Sequence, residues 1–224
     1  MSTARRAPRS EIKLRERAYD AFTEHLLRSD IKPGQFMSQR ELVALTGHPL
    51  GAIRELIPRL EAEGLIVTVP QRGLQILPLD ISLIRNAFQF RLILEREAIA
   101  AFALTVADAR IEEIEDLHRA IVTAAEKGVT PRLVADAQRI DREFHETMID
   151  DLSNDIISKA YRVNWIKVRL IRQSETSLDE DLVVPVMHEH LAIIAAIRAR
   201  DAAAAVEAGA AHIMNARRRA LRLE

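Results

Sequence analysis

The chain has no cysteine among its 224 residues, which excludes disulfide staples and every thiolate metal site. Only 4% of the residues are Phe, Tyr or Trp, a poor supply for single-strand nucleic-acid readers, which stack bases on aromatic rings. No apolar run approaches the roughly 20 residues that span a bilayer. The basic opening segment, residues 1–10, leads into no apolar stretch of the secretory type, so the expected location is the cytoplasm. Neither sign of charge dominates, with 32 Lys plus Arg against 33 Asp plus Glu. The balance hides a gradient. Residues 1–78 carry 12 basic and 9 acidic side chains, and the remainder 20 and 24, compatible with one half facing phosphates. What is present is an ordinary globular mixture, 48% apolar and 29% charged, enough for one large domain or two smaller ones.

After a basic tail over residues 1–10, the stretch from Glu11 to about Arg28 reads as a helix. Ile12, Ala18, Phe22, Leu26 and Leu27 make its apolar face. Lys32, Pro33 and Gly34 break it. Ser38 with Glu41 three residues on forms a capping box for a short second helix that stops at Thr46-Gly47. A third helix is expected from about Leu50 to Glu63, ended by Gly64. The period then changes to that of two short strands, Leu65–Val69 and Gly73–Leu77, joined across Pro70, Gln71 and Arg72. Helix, short helix, helix and hairpin over residues 11–78 is the layout of a winged helix-turn-helix, which reads duplex DNA by inserting its second helix in the major groove. Arg40 begins the brace helix, Arg54 lies on the second turn of the reader, and Arg72 sits beside Gly73 at the wing tip. These three arginines are the candidate DNA contacts. Any one Arg taken alone is an ordinary surface charge; Glu55 is placed to pair with Arg40 or Arg59.

Residues 79–224 show only helical periodicity, with helices expected at about 80–104, 107–127, 131–151, 153–174, 184–200 and 202–221. Their breaks fall at Asp108, Gly128–Pro131, Ser153-Asn154 and Ser177–Pro185. The fold class is therefore mainly α, a winged helix-turn-helix followed by an all-helical antiparallel bundle.

The stretches Ile31-Lys32-Pro33-Gly34, Ser38–Val43, Ile53–Ile66 and Gln71-Arg72-Gly73 resemble the GntR family of bacterial transcription regulators. The resemblance implies DNA contacts at Arg40, Arg54 and the Arg72-Gly73 wing. One departure stands out: the family commonly enters its reader helix through a Ser/Thr-Arg pair, whereas Pro49 and Leu50 occupy those positions. Leu50 has no hydrogen-bond donor on its side chain, so one direct contact is missing. Pro58 inside the reader helix removes one backbone donor.

In the helical half, Asp141 and His145 are i,i+4 neighbours on one helix face. His190 lies about ten residues before the Arg200-Asp201 turn and His212 about eleven after it, which sets the two imidazoles at similar heights on an antiparallel pair. Three imidazoles and a carboxylate suit Zn²⁺, Ni²⁺ or another late first-row divalent ion. His188 is two residues from His190 and points elsewhere, His25 lies in no ligand pattern, and His118 is expected at the surface.

Asp141-x-x-Phe144-His145, Asn154, Glu189-His190 followed by Asp201, and Ala211-His212-Ile213 resemble the FCD effector domain of FadR-like GntR regulators. Arg91 with Glu95 matches its first helix. The resemblance implies a metal held by the Asp and three His, a small carboxylate effector near Arg91 and Asn154, and effector control of operator binding. The expectation is a homodimeric regulator, a repressor, on an inverted-repeat operator of duplex DNA, with residues 79–224 binding effector and dimerising. Two other readings remain: a metal-dependent enzyme activating water, and a metal-free scaffold whose bundle only dimerises. Glu143 and Glu146, the nearby candidates for a general base, point off the Asp141/His145 face.

Overall fold

The computed structural model describes residues 9–175 and 180–221; the basic tail up to residue 8 and the break expected at Ser177 lie outside them. Contacts divide the chain after Asp80 into two compact units.

The first unit holds α1 (Arg9–Leu27), β1 (Phe36–Met37), α2 (Gln39–Thr46), α3 (Leu50–Ala62), β2 (Ile66–Val69) and β3 (Gly73–Ile76). Ala18, Phe22 and Leu26 of α1 are fully buried, as are Ile53 and Leu60 of α3, so the 3–4 spacing seen in sequence is the core stripe. The capping box is present: Ser38 Oγ accepts from Glu41 N at 3.2 Å, and Glu41 Oε2 accepts from Ser38 N at 2.6 Å. Gly47 and Gly64 end their helices at φ +69° and +66°. α3 continues through Pro58 to Ala62. Arg59 pairs with Glu63 at 2.9 Å rather than with Glu55.

The hairpin gains a strand that its alternation did not announce. β1 pairs antiparallel with β3, giving the order β1-β3-β2. Two residues are too few for a periodic signal. Their consequence is felt at Gly73, where φ is +95° and an added Cβ would sit 2.8 Å from the Met37 carbonyl oxygen. Glycine is needed where the wing turn enters β3 because β1 passes close behind it.

The second unit is all helix among its described residues: α4 (Ile81–Thr105), α5 (Asp108–Ala125), α6 (Pro131–Asp151), α7 (Asp155–Glu175), α8 (Glu180–Arg198) and α9 (Ala202–Ala220). α4 packs on α6, α7, α8 and α9, and α8 packs on α5 and α9. The Ala-rich α9 lies tight against α4: a Cβ on Gly209 would come within 2.3 Å of Ile99 Cδ1. α8 begins at Glu180, ahead of the expected start, and runs through Pro185. Proline there removes one hydrogen bond near the helix start, while Val183, Val186 and Met187 anchor the turn by burial.

The core of this unit, around Ile99, Phe102, Phe144, Met148, Tyr161 and Ile194, contains a polar seam. Arg91, Glu95, His118, Asp141, His145, Asn164, His190 and His212 are all buried. Such groups are tolerated only when they satisfy one another or hold a ligand.

Candidate functional site

Six helices build the seam, α7 through Asn164. α6 presents Asp141 and His145 one turn apart, α8 presents His190, α9 presents His212, and α4 and α5 back them. One donor atom from each of Asp141, His145, His190 and His212 lies within 4.8 Å of the other three. The sequence spacing therefore identified side chains that the fold brings together.

The proton positions follow from the partners. His212 Nδ1 is 2.7 Å from Glu189 Oε2; a carboxylate accepts, so this nitrogen carries the hydrogen. His145 Nε2 is 2.7 Å from Arg91 Nη2, and guanidinium only donates, so Nε2 is bare and Nδ1–H faces Glu95 Oε2 at 2.8 Å. His118, expected at the surface, is 1% exposed. Its Nδ1 is 2.7 Å from the Ile114 carbonyl oxygen and its Nε2 is 3.1 Å from His190 Nδ1. His190 Nε2 is buried without a hydrogen-bond partner, 3.6 Å from Asp141 Oδ1. Metal-binding imidazoles commonly have their other nitrogen fixed in this way. Three inward imidazole nitrogens and a carboxylate fit a late first-row divalent cation.

Arg91 closes one side. Its Nε donates to Glu95 Oε1 at 2.5 Å, and its Nη2 is also 3.4 Å from His212 Nε2. Tyr161 donates to the same Glu95 oxygen at 2.7 Å. Burial opposes charge on both Arg91 and Glu95, but their attraction wins. Arg91 is held above its ordinary range, and Arg91 with His145 holds Glu95 well below the usual carboxylate range. A cavity of about 10 Å³, room for about one water, adjoins the cluster. It is lined by Arg91, Asp141, His145, Tyr161, Asn164, Trp165, Val168 and Arg169.

Asn154 does not take the role expected of it. It is exposed, and its Oδ1 accepts from Ile156 N and Ile157 N at 3.0 and 3.2 Å, capping α7. The buried asparagine that lines the cavity is Asn164, whose Nδ2 donates to the Ala87 carbonyl at 3.0 Å. Sequence reading also passed over Tyr161, Trp165, Arg169 and His118. Only His118 had a usable signal, since Ile111, Ile114, His118 and Ile121 share one stripe. His188 is exposed, and His25 pairs locally with Asp30 at 2.8 Å. Glu143 pairs with Arg139 at 2.9 Å, and Glu146 lies 3.5 Å from Arg142.

Burial lowers the pKa of His118, and more strongly that of His190, where His212 and His145 add to it. Burial brings His212 down to about 4 despite its bond to Glu189. These rings fold neutral but take protons in the unfolded chain below about 6.5. The unfolded state then binds more protons, so stability must fall as pH drops from about 6.5 toward 4. Each ring contributes a slope of up to about 1.4 kcal/mol per pH unit. Glu189, whose hydrogen bonds from His212 and Arg219 hold it at about 2 against burial, adds acid sensitivity only below about 4.5. Urea midpoints of metal-free protein should fall clearly between pH 7.5 and pH 5. A flat profile would mean that the rings are not buried neutral.

In the first unit, α2 and α3 form the helix-turn-helix. Arg40, Arg54 and Arg72 are all exposed. Arg54 Nε makes a long 3.3 Å bond to Gln39 Oε1, and Arg72 stacks its guanidinium 3.9 Å from the Phe36 ring centroid. Leu50 is 36% exposed at the start of α3, and Pro49 supplies no side-chain cap.

Comparison with known proteins matches this architecture. Residues 14–76 match the bacterial regulatory proteins of the gntR family, and residues 86–215 match the FCD domain. The chain belongs to the GntR family of transcriptional regulators, in the branch that carries an FCD domain. It is 26% identical over 135 residues to an HTH-type transcriptional regulator of the TAR-I ttuE-ttuC' intergenic region of Agrobacterium vitis, covering 59% of this chain and 77% of that one. A GntR regulator from Rhodococcus sp. RHA1 has the same fold, with a TM-score of 0.73 at 18% identity over 94% of this chain and 98% of that one. E. coli McbR/YncC gives a TM-score of 0.72 at 16% identity, covering 90% and 94%. The family is regulatory, which leaves the water-activating alternative without support. No helix among the described residues is long and apolar enough to cross a membrane.

Proposed function

We propose that the protein is a homodimeric repressor that releases an inverted-repeat operator when a small organic acid binds its helical unit. In this reading residues 11–78 read duplex DNA through Arg40, Arg54 and the Arg72-Gly73 wing. Residues 79–224 dimerise and bind the effector. Two reading heads on a palindrome call for two-fold symmetry.

The observation that carries the effector half is the buried convergence of Asp141, His145, His190 and His212 beside the Arg91 guanidinium. Those four residues would hold Zn²⁺ or Ni²⁺, which supplies open coordination for carboxylate oxygens. Arg91 adds a planar pair of donors for the same group. The adjoining cavity has room for about one water, so an organic acid must displace cavity-lining side chains on α4, α6 and α7. That displacement makes the liganded bundle differ from the free one, as control of a distant DNA affinity requires.

Selection from a random duplex pool should recover a palindrome. Arg54→Ala should weaken its binding by about 1–3 kcal/mol if the guanidinium makes a bidentate base contact. Sugar acids, hydroxy acids and dicarboxylates are then screened for release of that duplex, with metal-replete and metal-stripped protein in parallel. Release by an acid only when metal is present supports the whole scheme. No enriched palindrome, or release by neutral compounds alone, counts against the DNA half or the effector half respectively.

A further inference from the structure

Two of the three inward histidines are backed by carboxylates, Glu95 behind His145 and Glu189 behind His212. His190 is backed by another histidine. We propose that His118 is a positioning residue that fixes His190 as the Nδ1–H tautomer and so keeps the Nε2 lone pair of His190 available to a divalent cation. The inference rests on the metal reading above and concerns the one ligand that has no carboxylate behind it.

A single chain of hydrogen bonds links α5 to the site. The Ile114 carbonyl can only accept, and His118 Nδ1 lies 2.7 Å from it, so the proton of His118 is on Nδ1. A neutral His118 then has a bare Nε2. That atom is 3.1 Å from His190 Nδ1, so the hydrogen between the two rings belongs to His190. With Nδ1 protonated, the neutral ring of His190 has its lone pair on Nε2, the buried atom that has no hydrogen-bond partner and lies 3.6 Å from Asp141 Oδ1. A backbone carbonyl on α5 thus sets the protonation of a side chain on α8, two bonds away.

Ring packing holds the geometry. His118 meets His190 edge-on with centroids 5.2 Å apart, and Phe144 stands 5.1 Å from His118 and 5.0 Å from His190. The phenyl ring packs against both imidazoles. Remove the acceptor behind His190, and its Nδ1–H is buried with nothing to receive it. The proton then does better on Nε2, facing Asp141. The site would meet an incoming cation with an N–H where it needs a lone pair.

The experiment has two readouts. Long-range ¹H–¹⁵N spectra of metal-free protein report which nitrogen of each histidine carries hydrogen. Competition against a chromophoric chelator reports Zn²⁺ affinity. In the wild type, His190 should be the Nδ1–H tautomer before any metal is added. His118→Phe fills the space without an acceptor and should move the His190 hydrogen to Nε2, weakening Zn²⁺ binding about 10- to 100-fold, the usual scale for losing an orienting partner. His118→Gln can present an amide oxygen near the lost nitrogen and should restore most of both. His118→Asn bonds the Ile114 carbonyl but is too short to reach His190, so it should behave like the phenylalanine variant even where that one folds poorly. A wild-type His190 protonated on Nε2 overturns the proposal. So does a His118→Phe protein that keeps both the tautomer and the affinity of wild type. If the wild type shows the Nδ1–H tautomer yet takes up no Zn²⁺, the metal reading fails while the tautomer assignment stands.

Discussion

Metal-stripped protein given Zn²⁺ or Ni²⁺ should melt several degrees higher, and the double variant His145→Ala, His212→Ala should gain nothing. A ligand that binds only the folded state at 100 times its dissociation constant stabilises by about 2.7 kcal/mol. For a domain of this size that corresponds to a rise of roughly 5–10 °C. The donors are gathered beforehand: all four lie within 4.8 Å of one another, so little ordering entropy opposes binding, and the ion has to displace the Arg91 guanidinium from His145 Nε2. Removing two imidazoles leaves one nitrogen and one carboxylate, too few to hold the ion against water. The apolar packing around Phe102, Met148 and Ile194 does not depend on the cluster, so far-UV dichroism should stay helical. Comparing melting with and without metal within each variant cancels any baseline loss from the deleted side chains. Equal gains in wild type and double variant would place the metal elsewhere.

Glu95→Gln should cost about 3–5 kcal/mol, the usual result of breaking a buried ion pair by removing one partner. Glu95 is 0% exposed and Arg91 4%, so water cannot screen the guanidinium once the carboxylate is gone. The glutamine amide also loses the charge that faces His145 Nδ1 at 2.8 Å. A further Arg91→Met change in the same chain should recover part of the loss, because the charge left uncompensated is then removed as well. Urea denaturation of the two variants measures both effects. A Glu95→Gln protein within about 1 kcal/mol of wild type would show that the pair is not desolvated as its burial implies.

How much of this could be read beforehand differs from residue to residue. Arg91 and Glu95 sit on the same stripe of α4 as Ala87, Phe88, Ala98 and Phe102, all buried. The stripe marks them as core positions, but periodicity does not reveal that Tyr161 and His145 complete the network. His118 shows the converse failure. Its place between Ile114 and Ile121 on the apolar face of α5 is legible in the sequence, but its partner His190 is on α8, which spacing along α5 does not reveal. Asn154 enters the expected effector site only through the family resemblance; in the fold the backbone amides of Ile156 and Ile157 are its partners.

The amino-acid sequence by itself determined the helix-turn-helix with its capping box, the hairpin, the helical second half and the Asp141/His145 pair. Each of these rests on spacing within one element or on a turn residue with a fixed backbone preference, and such signals act over a few residues of chain. Tertiary structure alone decided the rest. β1 exists because β3 offers it an edge, Gly73 is required because β1 lies behind it, and His190 Nδ1 meets a histidine on another helix. Those are contacts between side chains and backbone far apart in sequence. They depend on how whole elements pack, and no local periodicity encodes which partner lies opposite.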